Sequence, residues 1–354
     1  MPTSIQSDSV NAASSPSAQL AALLHGAGIS PLDSTGWIRV SGKDRVRWLN
    51  GMVTNSVKEL QPGKGCYTFM LSAQGRIQGD AYIFAEAEAF LLEAAADRVP
   101  GLIVLLGRFI IMDKVELADE SGARAGLSLS GPRAVALLEQ IGLSAALLGE
   151  LEIQTVSWNS ADITLIHAHS PLVPRFEIWA QAATIEALSK ALLDAGAASC
   201  GAEAQEWLRL LEGTPRYGTD IRDRELPQET GQIRALHFTK GCYLGQEIVE
   251  RIRSRGNVHR AFTAFHLEGS LPAAGTPLEA DGKPAGELTS VAAIPLAGEP
   301  GETVQFALGY ARREALERDL PLLYPGGTAT PVPVPFTTAE PLRPASASES
   351  SERV

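Results

Sequence analysis

A chain of 354 residues, 45% of them hydrophobic, holds enough apolar material for a large core and for two or three structural units. Its formal net charge of -11 argues against non-specific nucleic-acid binding as the main activity, which needs a surplus of cations to neutralise phosphates. Three cysteines, Cys66, Cys200 and Cys242, stand far apart with no C-x-x-C pair, so neither a disulfide framework nor a zinc site is supported, no metal is expected, and a reducing cytoplasmic setting fits.

Residues 1–17 are polar, contain Asp8 and no arginine, resemble neither a secretory nor a mitochondrial leader, and read as a disordered tail. In "SAQLAALLHGAGIS", Leu20, Leu23 and Leu24 recur at helical spacing before Gly26 and Gly28 stop the helix. "GWIRV" reads as a strand. Ser41, with Asp44 three residues on, predicts a capping-box start to a helix whose apolar stripe is Val46, Leu49 and Val53. "CYTFMLS", "GRIQGDAYIFA" and "AFLLEA" follow as β-type runs of an antiparallel meander.

The apolar run from Leu102 to Met112 is broken by Arg108 and is far shorter than the roughly 20 residues that cross a bilayer, so no membrane span is expected. "GPRAVALLEQIG" predicts a helix with Pro132 in its first turn. "RFEIWAQ" reads as a strand, and "ATIEALSKALLDAG" as a helix with Ile185, Leu188 and Leu192 on one face. From about Val258 the texture changes to short β-type runs punctuated by Gly and Pro, predicting a small C-terminal β-barrel over residues 256–336. Residues 337–354, rich in Pro, Ser and Glu, read as a second disordered tail. The fold class is α+β, with residues 18–255 forming the mixed region.

The stretch "TKGCYLGQEIVER" puts Cys242 between Lys240 and a helix-like run, and both a nearby cation and a helix N-terminus favour a thiolate. The thiol is either reactive or a small apolar group closing a glycine-rich turn. His237 and His259 are its sequence neighbours, while His167 and His169 read as structural. Asp80 and Glu177 each interrupt an apolar β-type run, and each is either turned to water or turned inward toward a polar ligand. Arg251, Arg253, Arg255 and Arg260 form a local basic cluster. Dinucleotide, Walker A and G-x-S-x-G loops are absent, which disfavours nucleotide-driven or α/β-hydrolase chemistry.

"KGCYLGQE" resembles the signature of the YgfZ-type folate-binding proteins, relatives of the glycine-cleavage T-protein (aminomethyltransferase). The likeness extends through "VSGKDRVRWLNGMVTNSVKELQPGKG", "GRIQGDAYIF" and "LRLLEGTPRYGTDIRDRELPQETG". It implies two intertwined α+β units and a C-terminal β-barrel around a central site for tetrahydrofolate. It carries the aspartate near folate N10 to Asp80, the pteridine-contacting glutamate to Glu177, and a folate-contacting arginine to Arg209. A member of the arginine cluster could then meet the folate's glutamate tail. Ser56 in "TNS" replaces the family's acid.

What the resemblance implies is a factor supporting iron–sulfur cluster assembly or repair in client enzymes, with indirect effects on tRNA modification. Cys242 is then the reactive thiol and Lys240 its cationic partner. The alternative is a folate-dependent one-carbon transferase centred on Asp80.

Overall fold

The computed structural model describes residues 15–256, 258–296 and 303–337, so most of both expected tails lies outside the described residues. Helix α1 (Pro16–His25) opens the described chain, with the Ser15 hydroxyl capping it and Pro16 in the first turn. The chain then weaves between two sheets. Strand β1 (Gly28–Pro31) belongs to the first. The second receives β2 (Thr35–Ser41), β3 (Gly65–Leu71), β4 (Ile77–Ala85), β5 (Ala89–Ala95) and β6 (Glu116–Asp119). Its excursions are α2 (Arg45–Met52) and α3 (Val99–Gly107).

Returning to the first sheet, the chain lays down β7 (Ala125–Ser130), β8 (Ile153–Trp158), β9 (Ala161–Ala168), β10 (Arg175–Ala180) and the short β11 (Ala198–Ser199). Helices α4 (Ala134–Gln140) and α5 (Ala182–Asp194) interrupt this series, and α6 (Ala202–Glu212) and α7 (Gln246–Arg255) follow it. The first sheet runs β11-β1-β7-β10-β9-β8 and the second β3-β4-β5-β2-β6. The expected meander is therefore β3-β4-β5, antiparallel throughout.

The chain ends in a closed barrel built from β12 (Arg260–Gly269), β13 (Pro277–Ala280), β14 (Lys283–Pro295), β15 (Thr303–Arg312), β16 (Leu322–Tyr324) and β17 (Gly327–Val332), ordered β12-β15-β14-β13-β16-β17. Helix α8 (Arg313–Glu317) follows β15. Closure removes the exposed strand edges that a small open sheet would present. The mixed α+β fold expected from the sequence is the fold observed.

Side-chain alternation decides which face of each sheet goes where. On the first sheet Leu127, Leu129, Phe176 and Ile178 turn outward onto Leu137, Leu138, Leu188 and Leu192 of α4 and α5. On the second, Ile38, Val40, Ile83 and Leu92 pack on Leu49, Leu102 and Leu106 of α2 and α3. The opposite faces meet each other. Trp37, Phe84 and Leu91 from the second sheet join Ile166 and Trp179 from the first in one buried cluster. The Trp37 and Trp179 rings are edge to face with centroids 5.6 Å apart, and Phe84 meets Trp179 at 5.4 Å. Each such pair contributes about 0.5–1.5 kcal/mol beyond its buried area.

Helix α6 is held between α1 and the barrel: Leu208 and Leu211 pack with Leu20, Leu23, Phe306 and Leu308. Its polar side is thereby turned toward the space between the sheets. Two local expectations are corrected. Ser41 ends β2 and the α2 cap is Asp44, whose side chain makes no cap bond because its Oδ2 accepts the Lys114 N–H at 2.8 Å. Helix α4 begins at Ala134, after a turn in which the Ala134 N–H reaches the Gly131 carbonyl, so Pro132 sits in that turn. Among the described residues no helix is long and apolar enough to cross a membrane.

Candidate functional site

The polar residues of the two inner sheet faces do not close against each other. Together with α6 they enclose a cavity of about 590 Å³, a volume suited to a small organic ligand. Tyr82, Phe84 and Glu93 line it from the second sheet, Arg175 and Glu177 from the first, and Gln205 from α6. Of the two orientations that alternation leaves open to Glu177, the fold selects the inward one for a simple reason: Phe176 and Ile178 on either side are committed to the outer core, and Glu177 must point the other way.

Only 3% of Glu177 is exposed. Arg175 Nη2 donates to its Oε1 at 2.8 Å and Trp179 Nε1 to its Oε2 at 3.2 Å, so the buried carboxylate is balanced by one cation and one neutral donor from its own strand. The Arg175 Nε is buried with no hydrogen-bond partner among the described residues. Glu93 lines the same cavity from the second sheet. Burial, and then the neighbouring Glu177 carboxylate, hold the Glu93 carboxyl well above the usual carboxylate range, against the opposing pull of Arg175.

Asp80 lies on the same face of β4 as Tyr82, two residues away, and is not among the residues lining this cavity. The Tyr67 hydroxyl donates to Asp80 Oδ2 at 2.6 Å. Burial raises the Asp80 carboxyl above its ordinary value, while the Tyr67 hydrogen bond, Arg234 and Arg98 oppose that shift. Tyr67 and Tyr82 lie with ring centroids 4.9 Å apart. The Arg234 guanidinium stacks over Tyr67 at 4.3 Å and donates to the Tyr82 hydroxyl at 3.0 Å. Asp80 and Glu177 are therefore joined through a layer of Tyr67, Tyr82 and Arg234.

Asn55 and Thr54 of "TNS" explain how Arg234 reaches that layer. Thr54 Oγ1 donates to the Ala235 carbonyl at 2.6 Å, and Asn55 Nδ2 donates to the carbonyls of Arg234 at 2.8 Å and Tyr67 at 2.9 Å. Ser56, the departure noted in the sequence, is not part of these bonds, and its backbone N–H is held by Asn55 Oδ1.

Two expected site residues have other employment. Arg209 borders the cavity, but every one of its five N–H donors is taken. Nε and Nη2 grip the two Glu206 oxygens at 3.0 and 2.6 Å, Nη1 reaches the Thr214 carbonyl and Asp220 at 2.6 and 2.7 Å, and Nη2 also reaches Ser290 at 2.9 Å. Arg209 clamps α6 to the following loop and to β14, which leaves it no donor for a folate. Lys240 likewise is not the partner of Cys242. Its Nζ donates to the carbonyls of Val53 at 2.7 Å and of Asn55, because these carbonyls face inward where the chain leaves α2. Burial lowers the Lys240 ammonium to about 8, and the thiol it senses is Cys66, itself pushed up to about 12 by burial.

Cys242 is exposed, whereas Cys66 and Cys200 are buried, and all three are free thiols. Helix α7 starts only at Gln246, so Cys242 stands outside its first turn. Gly245 makes the entry possible: at φ +82° a Cβ would sit 2.5 Å from the Ser72 carbonyl oxygen. Among the described residues no group of three or more His, Cys, Asp or Glu side chains is arranged to hold a metal ion. His167 Nδ1 is bonded to the Leu148 carbonyl and His169 Nδ1 to Glu150. In the arginine cluster, Arg260 pairs with Glu225 and Glu229 and Arg253 covers Phe238, and neither lines the inter-sheet cavity.

Glu93, Tyr67 and Arg234 went unnoticed in the sequence. Only Glu93 had a visible signal, a lone carboxylate in the apolar run "AFLLEA" of the same kind that marked Asp80 and Glu177.

The sequence profile described as the GCVT N-terminal domain matches residues 9–240. A provisionally named chloroplastic transferase of Arabidopsis thaliana is 27% identical over 295 residues, covering 82% of this chain and 66% of that protein. An aminomethyltransferase of Nostoc sp. is 27% identical over 301 residues, covering 79% and 76%. The crystal structure of glycine cleavage system aminomethyltransferase T from Bartonella henselae superposes with a TM-score of 0.81 at 20% identity, covering 91% of this chain and 89% of that one. The chain therefore belongs to the GCVT N-terminal domain family and has an aminomethyltransferase-like fold.

Proposed function

We propose that this protein binds a reduced folate in the inter-sheet cavity and acts in folate-dependent transfer of a one-carbon unit of the aminomethyl or methyl class. The observation that carries this reading is Glu177: an enclosed carboxylate, fixed by Arg175 and Trp179 on a rigid strand and facing a ligand-sized space. A pterin presents ring and amino N–H groups that suit such an acceptor, and Phe84 offers an apolar surface beside it. Relatives named aminomethyltransferase support the same class of reaction.

Tetrahydrofolate held here by Glu177, Arg175 and Phe84 would supply or accept the one-carbon unit. Asp80 is the residue suited to hold a proton, since burial favours its neutral form and the Tyr67 hydroxyl fixes the carboxyl's orientation.

The test is calorimetric titration with tetrahydrofolate under anaerobic conditions, followed by a transfer assay. Wild type and Asp80→Asn bind, Glu177→Ala does not, and Asp80→Asn loses turnover. Wild type failing to bind any reduced folate sinks the reading.

A second reading rests on "KGCYLGQE" and the exposure of Cys242: a YgfZ-type factor whose thiol serves iron–sulfur client or assembly proteins. One cysteine cannot hold a cluster by itself, so any cluster contact would be shared with a partner. Free thiols at all three cysteines support a cytoplasmic setting. This reading requires that Cys242→Ser abolish complementation of cells lacking the protein while Asp80→Asn retains it, and the reverse ranking favours the transferase.

A further inference from the structure

Arg234 carries a charge that no carboxylate answers by contact. Its Nε donates to Gln232 Oε1 at 3.2 Å, its Nη2 donates to the Tyr82 hydroxyl at 3.0 Å, and its Nη1 is buried with no hydrogen-bond partner among the described residues. The cation lies instead against two rings, 4.3 Å from the Tyr67 centroid and 5.4 Å from that of Tyr82. A partly buried cation with no acid beside it is costly unless its charge is used elsewhere. Asp80 feels that charge, and the Tyr67 hydroxyl is bonded to Asp80 at 2.6 Å.

The stack is held together by its own backbone. Asn55 Nδ2 donates to the carbonyls of both Arg234 at 2.8 Å and Tyr67 at 2.9 Å, so one amide ties the turn Ile233–Ala235 to β3. A cation over a phenol draws electron density from the ring and makes its O–H a better donor. Burial and the Asp80 charge hold the Tyr67 phenol proton, and Arg234 pulls against them. The 2.6 Å separation of Tyr67 and Asp80 falls within the range of about 2.5–2.7 Å typical of an O–H donating to a charged oxygen.

A second cation, Arg98 from the turn Ala96–Arg98, also faces Asp80. It is already engaged: it covers the Tyr217 ring at 4.8 Å, donates to the Tyr217 hydroxyl at 3.3 Å and lies 3.8 Å from Asp223. The titratable and charged groups around Asp80 are thus Tyr67 from β3, Arg98 before α3, Tyr217 after α6, and Arg234. Arg234 is the one that combines an unanswered charge with the ring whose hydroxyl holds Asp80.

We propose that Arg234 is a positioning residue for Asp80, its guanidinium acting through Tyr67 and without touching Asp80 to keep the Asp80 proton transferable. This rests on the transfer reading above and deepens it. Burial alone would hold that proton too tightly to pass on, and a proton-transfer group works best when its affinity lies near the working pH.

Carboxyl NMR titration of Asp80, and the pH profile of kcat in the tetrahydrofolate transfer assay, are measured on the full chain, on Arg234→Met, Arg234→Lys and Tyr67→Phe, and on Tyr67→Phe combined with Arg234→Met. Arg234→Met raises the Asp80 proton affinity at least about threefold and moves the Asp80-dependent limb of the profile upward with it. Arg234→Lys keeps the cation and recovers about half of the change or more. In the Tyr67→Phe background, removing Arg234 raises the affinity by less than about twofold. Should Arg234→Met not fold, Arg234→Gln, which keeps a donor for the Tyr82 hydroxyl and removes the charge, carries the same expectation. An Asp80 titration unmoved by loss of the cation, an equal change with and without the Tyr67 hydroxyl, or a kcat profile that stays fixed while the titration moves overturns the proposal. The transfer reading survives each of these if wild type binds tetrahydrofolate and Asp80→Asn abolishes turnover. Wild type that neither binds a reduced folate nor turns over overturns both.

Discussion

The Tyr67 hydroxyl donates to Asp80 Oδ2 at 2.6 Å, and the two residues sit on neighbouring strands of one inner sheet face. The bond favours the ionised carboxyl, while burial disfavours it more strongly, so the Asp80 proton is held more tightly than in water. Tyr67→Phe removes only the stabilising donor. The Asp80 carboxyl should move further up, which carboxyl NMR titration will detect. A downward movement would mean that the phenol, and not burial, sets its behaviour.

Glu93 gives a stability prediction with a definite sign. Its folded-state carboxyl binds its proton more tightly than the unfolded chain does, so the contribution it makes is fully present below the ordinary glutamate value near 4.5 and is lost as pH rises through the raised folded value. Glu93→Gln has no proton to lose. Urea unfolding should therefore find the variant gaining on wild type as pH climbs above about 5, and the two converging below it. A constant difference at every pH would exclude a buried acid at position 93.

Arg209→Ala should act on stability and not through a lost ligand contact. Asp220 is fully buried and also accepts Thr289 Oγ1, Ser290 Oγ and the Arg216 N–H, so losing Arg209 strands a charge in the interior. Breaking such a buried pair costs about 3–5 kcal/mol. Arg209→Lys keeps the charge but not the five-point grip, and it should recover only part of that loss. A variant with wild-type stability but no folate binding would restore Arg209 to the binding site.

Cys242 reactivity should be independent of Lys240. The Lys240 ammonium is turned to the Val53 and Asn55 carbonyls, so Lys240→Met should leave the rate of Cys242 alkylation within about twofold of wild type. The same change leaves two inward carbonyls unmatched and should cost about 1–3 kcal/mol in denaturant unfolding. Strongly slowed alkylation would mean that the lysine swings to the thiol in solution.

The local rules written in the sequence determined the elements: alternation in "RFEIWA" and "GDAYIF", the apolar stripe of α5, and the glycine and proline punctuation of the barrel all act between residues a few positions apart. The same alternation offered two faces for Glu177 and could not choose between them. That choice was made when Phe176 and Ile178 packed on α4 and α5, and when a second sheet, built by a different part of the chain, covered the other face.

Lys240 and Arg209 were read as site residues by proximity along the chain or by likeness. Their true partners, Val53, Asn55, Asp220 and Ser290, are supplied by chain topology. The meeting of Glu93 and Glu177 at one cavity is supplied in the same way. Hydrogen bonds and buried charges are satisfied by whatever the fold brings within about 3 Å, and one-dimensional spacing carries that information only for neighbours on a single helix or strand.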